Sequence, residues 1–300
     1  MNARSRRRFL IQSGRLGAAA LASSWLPSNA FANPLGRPIG VQLYTIKEAM
    51  QDDAAGTLAK LAKIGFREVE TAGFGKLSAK QFRKLLDDAG LACPSAHLSF
   101  DLDNLNAAFD DAHALGAKYA ASGALDALVM PKKPWSATRT MSLDEAKRTA
   151  EVANRIGAGA KRAGIQYTYH NHAFEFTDTG DGATGYDVLL RETDPGLVKF
   201  EIDCGWMTFA GRNPVDYFKK FPNRFPLIHV KDYLPAADKS ASKEMRGAEL
   251  GHGVVDYKPI FAAAGKAGLE HYFVEQEGPF ARMSPLQAVQ VDYDYLRSID

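Results

Sequence analysis

Ala163-Gly164-Ile165-Gln166-Tyr167-Thr168-Tyr169-His170-Asn171-His172 carries, in order, a helix end, a strand and a polar strand tip. Glycine closing a helix accepts the left-handed backbone that ends it. Ile165–Asn171 has the aromatic and β-branched composition of a strand. The same order recurs at Ile64-Gly65-Phe66, Ala89-Gly90-Leu91, Leu115-Gly116-Ala117 and Ala267-Gly268-Leu269. Strands are expected at Ile39–Tyr44, Glu68–Thr71, Ala92–Leu98, Tyr119–Ser122, Ile165–Asn171, Val198–Cys204, Pro226–Lys231 and His271–Gln276. Between them apolar residues keep helical spacing, as at Leu58, Leu61 and Ile64, or Phe82, Leu85 and Leu86.

Alternating strands and helices build a parallel sheet, and eight such units match the size of a closed (β/α)8 TIM barrel. The rival, a doubly wound open sheet, calls for a Gly-x-Gly-x-x-Gly turn after the first strand. Val41-Gln-Leu-Tyr-Thr-Ile46 offers none. The composition, 46% hydrophobic and 24% charged over 300 residues, excludes a disordered chain. No apolar run reaches the roughly 18 residues a membrane span needs.

Residues 1–32 read as a separate leader. Arg4, Arg6, Arg7 and Arg8 precede a small, mildly apolar stretch, and Ala30-Phe31-Ala32 has the small-x-small pattern of a cleavage site. Ser5-Arg-Arg-Arg-Phe-Leu10 resembles a twin-arginine motif, so a folded, periplasmic protein of residues 33–300 is expected. A basic arm for nucleic acid and an uncleaved membrane anchor are the rivals. Taking the leader's five Arg from 37 basic residues leaves 32 against 35 acids, so no polyanion partner is implied. Cys93 and Cys204 fall near opposite strand ends, and a free, buried pair is expected rather than a disulfide.

The loops leaving the strands are the long ones, notably 123–141, 173–185 and 232–255, and such loops build the active site of a barrel. The polar middle of the last suggests a cover. Ionisable residues crowd the strand tips: Glu68 and Glu70; His97; His170 and His172, with Glu175 beyond; Glu201 and Asp203; His229 and Lys231; Glu275 and Glu277. Alternate residues of a strand share a face. Successive strands therefore bring His170 or His172, Asp203, His229 and Glu275 to one rim. Two carboxylates and one or two imidazoles suit Mn, Co, Fe, Ni or Zn, and Mg less well. His113 within a helix and His271 at the far end of a strand read as structural.

In these stretches the chain resembles the xylose-isomerase-like TIM barrels, the sugar phosphate isomerase/epimerase superfamily. The resemblance rests on Val41-Gln-Leu-Tyr-Thr45, Tyr169-His-Asn-His-Ala-Phe-Glu-Phe176, Phe200-Glu-Ile-Asp-Cys-Gly-Trp206, Ile228-His-Val-Lys-Asp232, Leu250-Gly-His-Gly-Val-Val-Asp256 and Phe273-Val-Glu275. It implies one divalent metal on a Glu, an Asp, a His and a Glu, of which Asp203, His229 and Glu275 fill the last three positions. His170 stands where relatives carry the first Glu. Glu175 reaching back is the alternative ligand, and Glu275 or His172 would be the base. Related epimerases use two metal-bound glutamates on opposite faces of the sugar; a single one puts simple epimerisation in doubt. The His-Asn-His-x-x-Glu-Phe pattern resembles exported relatives acting on 3-keto-sugars or glycosides.

The metal would polarise a carbonyl, and an enediolate would then regain a proton or expel a β-substituent. Lys231 is placed to hold an oxygen, and Glu70, His97 and Trp206 to bind the sugar. Trp135, Phe174, Phe176 and Phe280 serve a sugar face or pack the loops. The primary reading is an isomerase or epimerase of an unphosphorylated sugar. The alternative is a lyase, hydratase or hydrolase of keto-sugars supplied by a partner oxidoreductase, and a non-catalytic sugar-binding barrel is the third. Oligomerisation is left open.

Overall fold

The computed structural model describes residues 33, 35–123, 125, 139–180, 182–235, 245–280 and 282–299. The leader read at residues 1–32, Trp135 and the middle of the 232–255 loop lie outside them. Among the described residues no helix is long and apolar enough to cross a membrane.

Eight parallel strands close into a barrel: β1 (Gly40–Gln42), β2 (Glu68–Ala72), β3 (Ala92–His97), β4 (Tyr119–Ser122), β5 (Gln166–His170), β6 (Val198–Asp203), β7 (Leu227–Val230) and β8 (His271–Val274). Closure comes where β1 pairs with β8, Gly40 opposite Phe273 and Val41 opposite Val274. The expected strands are all present, shortened by a residue or two at several ends. The largest shift follows Gln42, where Leu43–Ile46 coils into a 3-10 turn as the Gln42 side chain accepts from Tyr44 N–H. Between β2 and β3 the register slips, because Pro94 has no N–H to give the ladder.

Helices begin where capping boxes place them, at Ser78 with Gln81, Ser142 with Glu145, Thr184 with Asp187 and Ser284 with Gln287. Each turns an apolar stripe onto the barrel. Leu58 and Leu61 of Ala54–Ile64 are fully buried, worth roughly 1.5–3 kcal/mol each against exposure. Cys93 and Cys204 are free and buried.

Inside the barrel the period of two stacks side chains in layers. At the floor Glu68 of β2 meets His271 of β8 at 2.8 Å. Tyr119, Leu227 and Phe273 form an apolar layer above it. Higher still every strand tip from β5 to β8 brings a polar side chain: His170 faces Glu201 in register, and Asp203 faces His229.

Candidate functional site

His229 is the hinge of the mouth. Fully buried on β7, it points its two ring nitrogens at different acids. Nδ1 lies 2.9 Å from Glu275 Oε2 and 3.9 Å from Asp203 Oδ2. Nε2 lies 2.7 Å from Glu70 Oε2 and 3.3 Å from Glu201 Oε2. Two overlapping sets of donor atoms result, each within 4.8 Å of one another: an upper set of His170, Asp203, His229 and Glu275, and a lower set of His97, His170, Glu201 and His229.

The chain presents Asp203 by splitting its carboxylate. Oδ1 caps the short helix Cys204–Phe209, accepting Trp206 N–H at 2.7 Å. Asn171 Oδ1 accepts Asp203 N–H at 3.0 Å and fixes the strand end. Oδ2 is left facing the upper set, 3.0 Å from Lys231 Nζ but with no hydrogen-bond partner in good geometry. His170 Nδ1 and Glu201 Oε1 are likewise buried without one among the described residues. Orphaned buried polar atoms are expensive unless something fills the space they face.

Charge says what fits. In and beside the lower set Glu201 and Glu70 are answered by imidazoles. His97 Nε2 sits 2.7 Å from Glu201 and 3.2 Å from Glu70. Burial pushes His97 down, yet the two acids outweigh it and raise it to about 10. Burial and Glu70 both push Glu201 up, and His229 and His97 overcome them, holding it at about 2. Beside the upper set, Asp203, Glu275 and Glu277 surround the ammonium of Lys231, whose Nζ lies 3.0, 2.8 and 2.7 Å from them. Burial would lower His229, but Glu201 and Glu275 raise it well above the usual histidine range, so an ion taking its Nδ1 would displace that proton and supply positive charge in its place. The donor set of Asp203, Glu275, His229 Nδ1 and His170 suits a first-row transition ion. The Nε2–H of His229, given to Glu70, then completes the carboxylate–histidine pairing that orients such a ligand.

The other residues named from sequence are placed as follows. Lys231 is wholly buried, its ammonium held by three carboxylates rather than open to a sugar. Burial opposes its charge, but Asp203 and Glu275 lift its pKa well above the usual lysine range. Trp206 is only 5% exposed; its Nε1–H donates to Glu277 at 3.2 Å and its ring lies 5.2 Å from Lys231 Nζ. Glu175 belongs to neither donor set. It accepts from Tyr169 O–H and His172 N–H, both at 2.9 Å, and so fixes the turn after β5. His172 stands half-buried at the rim, and burial lowers it to about 4, so it is neutral at physiological pH. Phe174 and Phe176 are buried in the loop packing, and Phe280 is half-buried.

Sequence reasoning passed over Glu201 and Glu277 as working parts, and over two glycines. A Cβ on Gly123 would come 2.6 Å from His97 Nδ1, and one on Gly205 would come 2.8 Å from Lys231 Cβ, so both positions must lack a side chain. Asp232 also has its own task. Its carboxylate accepts the N–H groups of Tyr233, Gly251, Gly253, Val254 and Val255, tying down the return of the 232–255 loop.

The family profile described as xylose isomerase-like TIM barrel matches residues 58–299. The chain belongs to that family. Among relatives, the inosose dehydratase of Lacticaseibacillus casei is 28% identical over 252 residues, 74% of this chain and 82% of that one. A sugar phosphate isomerase/epimerase from Parabacteroides distasonis superposes with a TM-score of 0.70 at 26% identity, covering 94% of this chain and 97% of its own. The IOLI protein, whose crystal structure holds a zinc atom, shares the fold at a TM-score of 0.65 and 12% identity, over 86% of this chain and 95% of that one. This xylose isomerase-like barrel is an enzyme.

Proposed function

We propose that the barrel is a divalent-metal-dependent lyase of keto-sugars, taking a proton from the carbon beside the ketone and expelling a β-hydroxyl or β-alkoxy group. The observation that carries this reading is His170 in the upper donor set. An epimerase of this family needs a second carboxylate to return the proton on the opposite face, and a buried imidazole stands in its place. An elimination needs only one base, and the leaving group takes the proton elsewhere. The inosose dehydratase relatives support the same reading.

Asp203, His229, Glu275 and His170 would hold the ion, which when bound polarises the ketone and acidifies the neighbouring C–H. His172, neutral and at the rim, accepts that proton. Lys231 keeps Asp203 and Glu275 ionised and in place. His97, partly open and cationic between two acids, is the donor nearest the mouth for a departing oxygen. Export behind the 1–32 leader, with an oxidoreductase supplying the ketone, belongs to the same reading.

The test is to strip the protein with chelator, reload it, and incubate it in D2O with a keto-cyclitol and with an aryl 3-keto-glucoside. Metal-dependent loss of water or aglycone, with an unsaturated ketone as product, is expected. Deuterium entering an intact ketose without elimination would replace the lyase with an isomerase or epimerase.

A further inference from the structure

Ala72 ends β2, shares the inward face of Glu70 and pairs in register with His97 on β3. It also lines a cavity of about 640 Å³, within the roughly 300–1,000 Å³ of small-molecule sites. The cavity meets the mouth again at Leu43, next in the chain to Gln42, whose Nε2 donates to Glu70 at 2.7 Å.

Met50, Phe74 and Phe82 join Leu43 in an apolar lining, with the two phenylalanine rings 6.2 Å apart. Lys47 and Lys76 bring positive charge, and among the described residues no acid lines the cavity with them. Lys47 Nζ stands 3.9 Å over the ring of Tyr44, which is 43% exposed. A second sugar would need hydroxyl partners along its whole length. Beyond the two lysines, Gln51 is the polar side chain this lining offers it. An apolar ring bearing an anionic group answers both the walls and the charge.

We propose that this cavity holds the body of the group the reaction expels, an aromatic ring carrying a carboxylate, so that the leaving group is aryloxy rather than hydroxyl. The inference rests on the lyase reading above. His97, placed there beside the departing oxygen, is the register partner of Ala72, so that oxygen leaves at the edge of the cavity. In the step the C–H beside the ketone breaks and its proton passes to His172, while a C–C double bond forms. The β C–O bond breaks with its electron pair on oxygen, which takes up a proton at His97. Nothing is oxidised or reduced. A departing water occupies roughly 30 Å³ and gives the cavity no task.

The experiment compares the metal-loaded full chain with Ala72→Phe and Lys47→Met on methyl, phenyl and 4-carboxyphenyl 3-keto-glucosides. In wild type KM is expected about 10- to 100-fold lower for the 4-carboxyphenyl than for the methyl substrate, the effect of burying one ring. Ala72→Phe, which fills the edge nearest His97, should erase that ratio. Lys47→Met should erase the part that separates 4-carboxyphenyl from phenyl. Equal KM for all three substrates in wild type, or ratios that survive both variants, would overturn the proposal. Binding without turnover separates it from the reading it rests on. Free 4-hydroxybenzoate is titrated into metal-free wild type labelled at the methionine methyls. A saturable shift at Met50, lost in Ala72→Phe, supports the cavity as the site of the ring, and absence of elimination beside it would count against the lyase reading alone. No shift at Met50 overturns the proposal, and the same titration of wild type decides if either variant fails to fold.

Discussion

The floor and the mouth of the barrel interior use the same residue types and reach opposite balances. At the floor one acid, Glu68, meets one imidazole, His271, at 2.8 Å, and the layer above is apolar. At the mouth five acids gather with one lysine and three imidazoles, and three buried polar atoms there lack a hydrogen-bond partner among the described residues. The residues come from the same strands two or four positions apart: Glu68 and Glu70 on β2, His271 and Glu275 on and just beyond β8. A pair that serves the fold closes its own charge. A site leaves donor atoms open for what it binds.

The sharpest way to break that contrast is to remove a ligand. Asp203→Asn or Glu275→Gln should abolish tight metal binding and lower kcat/KM on the order of 10³-fold, since a bound ion supplies several kcal/mol to the transition state. Equal loss from His271→Gln at the floor would erase the distinction between the two ends. Next in size is Lys231→Met. It strands Asp203 and Glu275 without their cation, which should cost about 3–5 kcal/mol in denaturant unfolding of the metal-free protein. Saturating metal should restore part of it, because a ligand that binds only the folded state stabilises that state. An equal cost with and without metal would show that the ion does not share the lysine's work.

A buried acid elsewhere sharpens the comparison, because among the described residues neither histidine nor lysine pairs with it. Asp292 is 1% exposed and accepts Leu250 N–H at 2.7 Å. Burial, helped by Glu249 and Asp232 and opposed by that N–H, raises it to about 8. A raised carboxylate gives its full stability below its unfolded value near 4 and loses it as pH climbs through about 8. Asp292→Asn should therefore gain about 1–3 kcal/mol over wild type at pH 8.5 and gain nothing at pH 4, measured as Tm. A constant difference across pH would contradict it. The smallest effect is expected at the floor. Glu68→Gln should cost about 1 kcal/mol at most, as its partner is 20% exposed, and leave kcat unchanged.

Much of this was readable in the amino-acid order because barrels obey a period of two. The eight strands follow from β-rich runs closed by glycine, and Asp203, His229 and Glu275 converge because they occupy equivalent strand tips. The same period pointed to Glu201, which shares a face with Asp203, but its three imidazole neighbours arrive from β3, β5 and β7, and no single strand displays that. Lys231 and Trp206 read as sugar contacts because their burial depends on how later segments close. Glu277 comes from beyond β8 to hold both, and the missing side chain of Gly205 lets Lys231 pack inward. Glu175 offered a ligand on paper, and the turn it stabilises uses both its oxygens. Local spacing reveals which residues share a face. It does not reveal which of them the fold then spends on one another.

The most direct test of the open donor atoms at the mouth is calorimetric titration of chelator-treated protein with zinc or manganese, in parallel with Asp203→Asn. One ion per wild-type chain, with a matching rise in Tm, and no tight binding by the variant is expected. Absence of binding to the wild type, or equal binding to both, would contradict it.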